Sequence, residues 1–291
     1  MMRSALFLGL MFFAVLRLAG YITEPKLRAA DIHRIVGAPD DFHTDPLNRQ
    51  PLNVLSWNIE RGVEFDEILS TLQRMNADVV LLQEVDRFCL RSNRRDVARE
   101  LAEALRMNWV WAGEFQEIGE AQRRVPALTG QAVLSRYSIR DAAVIVFRDQ
   151  TWFRWHFSPV QPRRGDRIAL KVRTGGMLMY DLHIESGGTD DLRQRQIDEV
   201  LKDAVQEPDS RVVVGGDFNT SADARLPLLH RFSKERLVDA LGAADGRRTT
   251  VRHEHPLDWI FVKGLNASGN VEPVANISDH YPLMAKLTDL D

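Results

Sequence analysis

The fold class the sequence predicts is α/β (α+β), with two mixed β-sheets packed face to face and helices on both outer faces. Three observations lead there. Short apolar runs with strand character are numerous. Those near the N-terminus are separated by amphipathic helical stretches, as parallel neighbours require. Those in the middle follow one another through tight glycine turns, as antiparallel hairpins do. This mixture fits neither simple parallel winding nor an all-β sandwich. A chain of 291 residues, 44% hydrophobic and 27% charged, can bury the core of one large domain.

Residues 1–24 stand apart. Arg3 precedes an uncharged run from Ser4 to Leu16, Arg17 interrupts it, and Leu18 to Ile22 resume it. The run reads as a signal peptide. Counted through to Ile22 it approaches the length of a membrane anchor, although Arg17 in mid-span would cost about 2.5–3.5 kcal/mol. Both readings place the rest of the chain outside the cytoplasm, periplasmic, extracellular or anchored facing outward. A buried N-terminal helix is the remaining alternative. Residues 25–51, rich in Pro and charge, read as a linker with one helical turn around Leu27 to Ile35.

From residue 52 the elements follow in order. Leu52 to Asn58 is a strand, and Glu64 to Asn76 has helical spacing through Phe65, Ile68, Leu69 and Leu72. Asp78 to Glu84 is a strand whose centre, Val79 to Leu82, is apolar throughout, so both its faces are buried. Asp96 to Met107 is an amphipathic helix. Trp109–Phe115, Thr129–Tyr137 and Ile139–Phe147 are strands. The aromatic and basic stretch from Arg148 to Gly165 reads as a loop packed on the core edge, with a substrate-touching rim as its alternative. Ile168–Val172 and Met177–Glu185 form a hairpin across Gly175-Gly176. Asp190–Val205 is a helix. Val212-Val213-Val214-Gly215-Gly216 is a buried strand ended by glycines, followed by a helix over Leu226–Phe232. Strands are expected at Arg248–Arg252, Leu257–Lys263, Gly269–Val274 and Leu283–Leu287.

Strand after strand ends in a polar residue able to bind metal or move a proton: Asn58, Glu84, His183, Asp217 with Asn219, Asp258, Asp279 and His280. Asp217 and Asn219, two apart in an extended segment, share a side. A carboxylate such as Glu84 at the end of an apolar strand is costly unless a cation or donor satisfies it. Glu84, Asp279 and Asn58 offer oxygen, which suits Mg²⁺, with Mn²⁺ or Ca²⁺ as alternatives, better than Zn²⁺. His253-Glu254-His255 reads as a solvated turn. Asp279 and His280 are adjacent and diverge, so Ser278-Asp279-His280 is no hydrolase triad. His280 needs a carboxylate from elsewhere, and Asp258 is the candidate. The net charge of −3 does not suit a sequence-independent nucleic-acid binder. A single cysteine, Cys89, excludes an intrachain disulfide and reads as a buried apolar residue.

Seven motifs in sequence are similar to those of the endonuclease/exonuclease/phosphatase (DNase I-like) superfamily. They are Leu55-Ser-Trp-Asn58-Ile, Leu82-Gln-Glu84-Val, Gly130-Gln-Ala-Val-Leu-Ser-Arg136, Leu182-His183-Ile-Glu, Gly216-Asp217-Phe-Asn219-Thr, Leu257-Asp258-Trp-Ile-Phe and Ser278-Asp279-His280-Tyr-Pro. The resemblance covers residues 52–288 and implies a four-layer α/β/β/α sandwich that hydrolyses phosphate esters with a divalent metal. It implies that Glu84 is the principal metal ligand, with Asn58 and Asp279. Asp217 would orient or deprotonate the attacking water, with Asn219 as a donor beside it. His280, held by Asp258, would contact phosphoryl oxygens, and His183 would serve the leaving group. Arg167 and Asn219 would meet the substrate phosphate. The glycines before Asp217 would let the loop pass close to that phosphate. Gln131 departs from the Asn of many relatives, and no Tyr-x-Pro-Asn segment of the abasic-site endonucleases is present. A phosphodiesterase or phosphatase is therefore expected first, an exported DNase I-type nuclease second, and a non-catalytic binding domain third. A monomer is expected, with nucleic acid at most a substrate, membrane attachment only through residues 4–22, and specificity carried by loops 113–129, 148–165 and 240–255.

Overall fold

Val54 and Leu55 are neighbours in sequence and point into different cores. That alternation, repeated along most of the central strands, builds the molecule. The structure is a computed structural model that describes residues 24–42, 51–122, 124–151, 162–207, 211–242 and 247–290; the apolar run at 4–22 and most of the aromatic stretch at 148–165 lie outside them. The strands are β1 (Ile35–Ala38), β2 (Leu52–Arg61), β3 (Val79–Arg87), β4 (Asn108–Glu117), β5 (Leu128–Ser135), β6 (Arg140–Val146), β7 (Arg163–Gly165), β8 (Ile168–Thr174), β9 (Met177–His183), β10 (Val212–Asp217), β11 (Val238–Asp239), β12 (Asp258–Lys263), β13 (Asn266–Val271) and β14 (Leu283–Thr288). The helices are α1 (Ala29–Ile32), α2 (Phe65–Met75), α3 (Val97–Leu105), α4 (Asp190–Gln206) and α5 (Arg225–Lys234).

One sheet has the order β1-β4-β5-β3-β2-β14-β13, with β7 also on β4; the other has the order β11-β12-β10-β9-β8-β6. β2 with β3 and β9 with β10 run parallel, and the remaining pairs are antiparallel. Val80, Leu82 and Leu134 face α2 and α3 in one outer core. Val212, Val214, Trp259 and Phe261 face α4 and α5 in the other. Val54, Val79, Leu81, Val133, Met179, Val213 and Ile260 meet between the sheets. Three apolar layers therefore separate four layers of secondary structure, and the α/β/β/α sandwich expected from the sequence is observed.

Three expectations change. Residues 25–51 are not simply a linker: α1 forms the expected helical turn, β1 pairs antiparallel with β4, and the Leu27 N–H donates to Gln116 Oε1 at 3.0 Å. The Pro-rich composition hid a strand that covers part of the exposed edge of β4. Arg248–Arg252 contributes only an isolated bridge between Thr250 and His280. The glycines before Asp217 are explained by packing. A Cβ on Gly215 would lie 2.8 Å from Leu81 Cδ1 of the facing sheet, and one on Gly216 (φ +142°) would lie 2.0 Å from the Leu182 carbonyl oxygen. Neither glycine is spared for a ligand.

The layer between the sheets changes character along its length. At one end it holds Val54, Val79, Val110, Met177, Val213 and Val262. Two residues further along these strands come apolar or small groups. Two to four further come polar groups, among them Ser56, Gln83, Gln131 and Asp181. Gln131 fixes the two sheets together: its Nε2 donates to Ile168 O and its Oε1 accepts from Leu170 N–H, both at 3.1 Å. The Gln83 amide donates to Asp181 Oδ1 at 2.6 Å. Burial, helped by the nearby Glu114 carboxylate, raises Asp181 well above the ordinary carboxylate range despite that bond. Asp181 Oδ2 and Gln83 Oε1 are both buried acceptors without a partner. A proton on Asp181 would add a donor where buried acceptors lack one.

Burial therefore lets folded Asp181 hold its proton to higher pH than the unfolded chain does, where the carboxyl ionises near pH 3.9. The unfolded chain binds fewer protons, so stability falls as pH rises above about 4, by up to about 1.4 kcal/mol per pH unit, until Asp181 ionises in the folded state. Asp181→Asn keeps a donor and an acceptor and removes this term. Chemical denaturation should show the variant gaining on the parent protein between about pH 4 and 7; a difference that does not vary with pH overturns the assignment.

Candidate active site

The polar end of the inter-sheet layer opens into a cavity of about 190 Å³ lined by Glu84, His183, Asp217, Asn219, Asp279 and His280, among others. Strand register puts two of these residues in a row with Asp258, which lies behind the lining. Asp217, last in β10, is opposite His183, last in β9, on one side and Asp258, first in β12, on the other. The facing sheet brings up Asn58 from β2 and Glu84 from β3. Pairing between β2 and β3 shifts after Asn58, and pairing between β3 and β5 shifts after Leu82. Such bulges re-aim side chains at a sheet end. Glu60, Arg61 and Glu84 have φ of 45°, 70° and 51°, and Asn219 has 46°. Left-handed backbone at non-glycine residues costs on the order of 1–3 kcal/mol each and persists where the surroundings enforce it.

Asp217 is the centre. Its Oδ2 lies 3.7 Å from Nε2 of His183, 3.7 Å from Nε2 of His280, and accepts from Asn58 Nδ2 at 3.3 Å. Its Oδ1 accepts from the Asn219 N–H at 2.9 Å. His280 is oriented through Nδ1, which lies 3.0 Å from both Asp258 oxygens. Burial opposes charge on this imidazole, but Asp258 and Asp217 outweigh it and raise the His280 pKa to about 10. The segment is tied to β2: Ser278 Oγ donates to Asn58 O at 2.7 Å, and Trp57 Nε1 donates to His280 O at 2.9 Å. Asn219 also donates through Nδ2 to Ile184 O at 3.0 Å, which fixes it beside Asp217.

His183 has a corresponding partner that the sequence reading missed. Its Nδ1 lies 3.2 Å from Glu114 Oε2, and its Nε2 lies 4.0 Å from Glu84. Glu114 is 1% exposed and sits where β4 shifts register against β5. One trace of it is in the sequence: a carboxylate inside Trp109-Val-Trp-Ala-Gly-Glu-Phe115, a run whose other residues are apolar. Arg167, expected at the substrate phosphate, is instead buried behind the site. Its Nη1 lies 3.3 and 3.4 Å from the two Glu114 oxygens, and it does not line the cavity. An arginine taken out of water needs its carboxylate, and Glu114 supplies one.

Glu84 keeps a quarter of its side chain exposed and lies 3.5 Å from Arg61. Burial would raise its pKa, but Arg61, His183, Arg167 and His280 together hold it down at about 2. Glu60, also absent from the expected set, converges on the same place: its Oε2 accepts from the Asp279 N–H at 3.1 Å. Burial first, then the Asp279 and Glu84 charges, raise its pKa. Glu60, Glu84 and Asp279 each offer carboxylate oxygen, the donor type that a hard divalent cation takes. Asn58 is a brace rather than a free donor, giving its amide to Asp217 and accepting from the Glu60 N–H at 3.1 Å. Asp217, Asp258 and His280 also place ligand atoms within 4.8 Å of one another. That trio is the one such group of three among the described residues, and within it Asp258 already orients His280.

Residues 55–280 match the Endonuclease/Exonuclease/phosphatase family. Among curated relatives, a UPF0294 protein of Vibrio cholerae serotype O1 is 24% identical over 241 residues, 81% of this chain and 77% of that protein. Among solved structures, an endonuclease/exonuclease/phosphatase from Beutenbergia cavernae has a TM-score of 0.62 at 20% identity, covering 83% of this chain and 72% of its own. The catalytic domain of human Nocturnin, with a bound sulfate anion, has a TM-score of 0.61 at 17% identity, covering 91% of this chain and all of its own. Members of the matched family are generally hydrolases of phosphate esters and typically depend on a divalent metal. On the residues matched, this chain belongs to the endonuclease/exonuclease/phosphatase family.

Proposed function

We propose that this protein is a divalent-metal-dependent hydrolase of phosphate esters, a phosphodiesterase or phosphatase that acts by in-line attack of water. One observation carries the reading: a carboxylate group (Glu84, Asp279, Glu60) and a proton-handling group (His183, Asp217, His280) line or border one small cavity. The sulfate held by the Nocturnin catalytic domain is a tetrahedral anion of the same shape as a phosphoryl group. Glu84 and Asp279 would hold Mg²⁺, which supplies neutralisation of phosphoryl oxygens when bound.

The other roles belong to the chain itself. Asp217 Oδ2, facing two imidazole Nε2 atoms at 3.7 Å, is placed to align an attacking water and take its proton. His280, cationic through Asp258, donates to the phosphoryl oxygen on which charge grows. His183, oriented by Glu114, serves the leaving oxygen. Export is inferred from residues 3–22 alone, and a monomer is the simplest assembly for a cavity that one chain encloses.

Hydrolysis of bis-p-nitrophenyl phosphate should vanish in EDTA and return with Mg²⁺ or Mn²⁺. Undiminished turnover in EDTA, or inertness with every metal, would sink the proposal. Asp217→Ala or His280→Ala should lower kcat by about 10²–10⁴-fold with the fold retained by circular dichroism. Glu114→Gln removes the charge that orients His183 and also strips buried Arg167 of its carboxylate, so retention of the fold is checked by circular dichroism before activities are compared. The substitution should cost about 10–100-fold, as loss of an outer orienting partner commonly does, and activity at the parent level would remove Glu114 from the mechanism.

A further inference from the structure

A second cavity of about 320 Å³ opens beside the first, and the two share Arg252 and Asp279 in their walls. They form one cleft. The second part is lined by Arg61, Arg252, Val63, Val251 and Ile277, with Glu60, Glu64 and Asp279. Val63 and Val251 are 41% and 44% exposed, so apolar surface faces water at the mouth of the catalytic centre. The two arginines differ. Arg61 lies 3.5 Å from Glu84. Arg252 is exposed and has no ion-pair or hydrogen-bond partner among the described residues, whereas nearby Arg248 is engaged with Glu254 at 3.1 Å.

The segment carrying Arg252 is fastened to the catalytic strand end. Val251 N–H donates to Asp279 O at 2.9 Å, and Tyr281 N–H donates to Thr249 O at 2.7 Å. Thr249 Oγ1 accepts from the Leu257 and Asp258 N–H groups at 2.9 and 3.2 Å, and Thr250 Oγ1 accepts from the His253 N–H at 3.0 Å. Arg252 therefore springs from backbone held in register with Asp279 and His280. A guanidinium on fixed backbone loses less freedom when it captures an anion, and its fork matches a phosphate.

We infer that Arg252 is a second anion subsite, and that the preferred substrate carries two phosphates on one organic unit. One phosphate is cleaved at Asp217 and the other is held by Arg252, beside which Val63, Val251 and Ile277 offer the organic unit an apolar wall. This deepens the hydrolase reading and rests on it. Glu60, Glu64 and Asp279 face the same space, so the subsite takes an anion when a divalent cation offsets those carboxylates. It follows that the second phosphate should help most with metal present.

Two chromogenic esters test the inference: thymidine 5′-(p-nitrophenyl phosphate) and the same compound bearing a 3′-phosphate, each assayed with Mg²⁺. The parent protein should favour the 3′-phosphorylated ester by about tenfold or more in kcat/KM. Arg252→Gln should bring that ratio close to one, chiefly through KM, and Arg252→Lys should retain part of it. Calorimetry with thymidine 3′,5′-bisphosphate and thymidine 5′-monophosphate reads the same preference without turnover. Equal treatment of the two ligands by the parent protein, or a preference that survives Arg252→Gln, overturns the subsite. A binding preference that depends on Arg252, with no ester hydrolysed, keeps the subsite and removes the hydrolase reading.

Discussion

The structure depends on how the space between two sheets is filled. Facing sheets pack about 10 Å apart when side chains interdigitate. Here the interdigitating residues are aliphatic at one end of the layer and ionisable at the other. The aliphatic end sets the spacing and supplies most of the burial. The ionisable end inherits that spacing, and so it receives groups held at fixed separations in a poorly hydrated place. Charges there are tolerable because each has a partner: Asp258 with His280, Glu114 with Arg167 and His183, and Glu84 with Arg61. The same packing that folds the chain fixes Asp217 between two histidines.

Local backbone carries part of the cost. Glu60, Arg61, Glu84 and Asn219 adopt left-handed conformations where regular strands would continue. Two of the shifts in pairing occur beside them. A regular strand would alternate its residues between the two cores and could not present successive polar groups to one cavity. Irregularity at these few positions turns strand ends into a site and leaves the rest of each strand to pack.

Much of this was legible in the sequence because the relevant rules are local. All-apolar runs mark strands buried on both faces, and Val212–Val214 and Val79–Leu82 are so placed. A polar residue at the end of such a run stands at the rim of the sheet, which located His183, Asp217, Asp258 and Glu84. What was not legible depends on distance in sequence. Glu114 belongs to the site because Arg167 and His183 sit beside it, and neither is close in sequence. Arg167 looked free for a substrate because its partner was unseen. Glu60 was readable as the neighbour two residues past Asn58, yet only the bulge shows that it meets Asp279. Gly215 and Gly216 answer to Leu81 and Leu182, contacts made across and within sheets. Composition alone misassigned β1, because pairing with β4 rests on backbone rather than on side chains.

The place of β1 also sets a distance. The folded body begins by Glu24, whose Oε1 accepts from the Gly119 N–H, and Pro25 O accepts from Gln116 Nε2. The apolar N-terminal run ends at Ile22, two residues before Glu24. Two extended residues reach at most about 7 Å. Were residues 4–22 retained in a bilayer, the folded body would be leashed within about that span of the headgroups, with little freedom to sweep the surrounding solvent. Such a protein would meet membrane-bound substrates at raised effective concentration, while soluble ones would still reach it by their own diffusion. Cutting the leash would change which substrates it encounters, with no change to the active site.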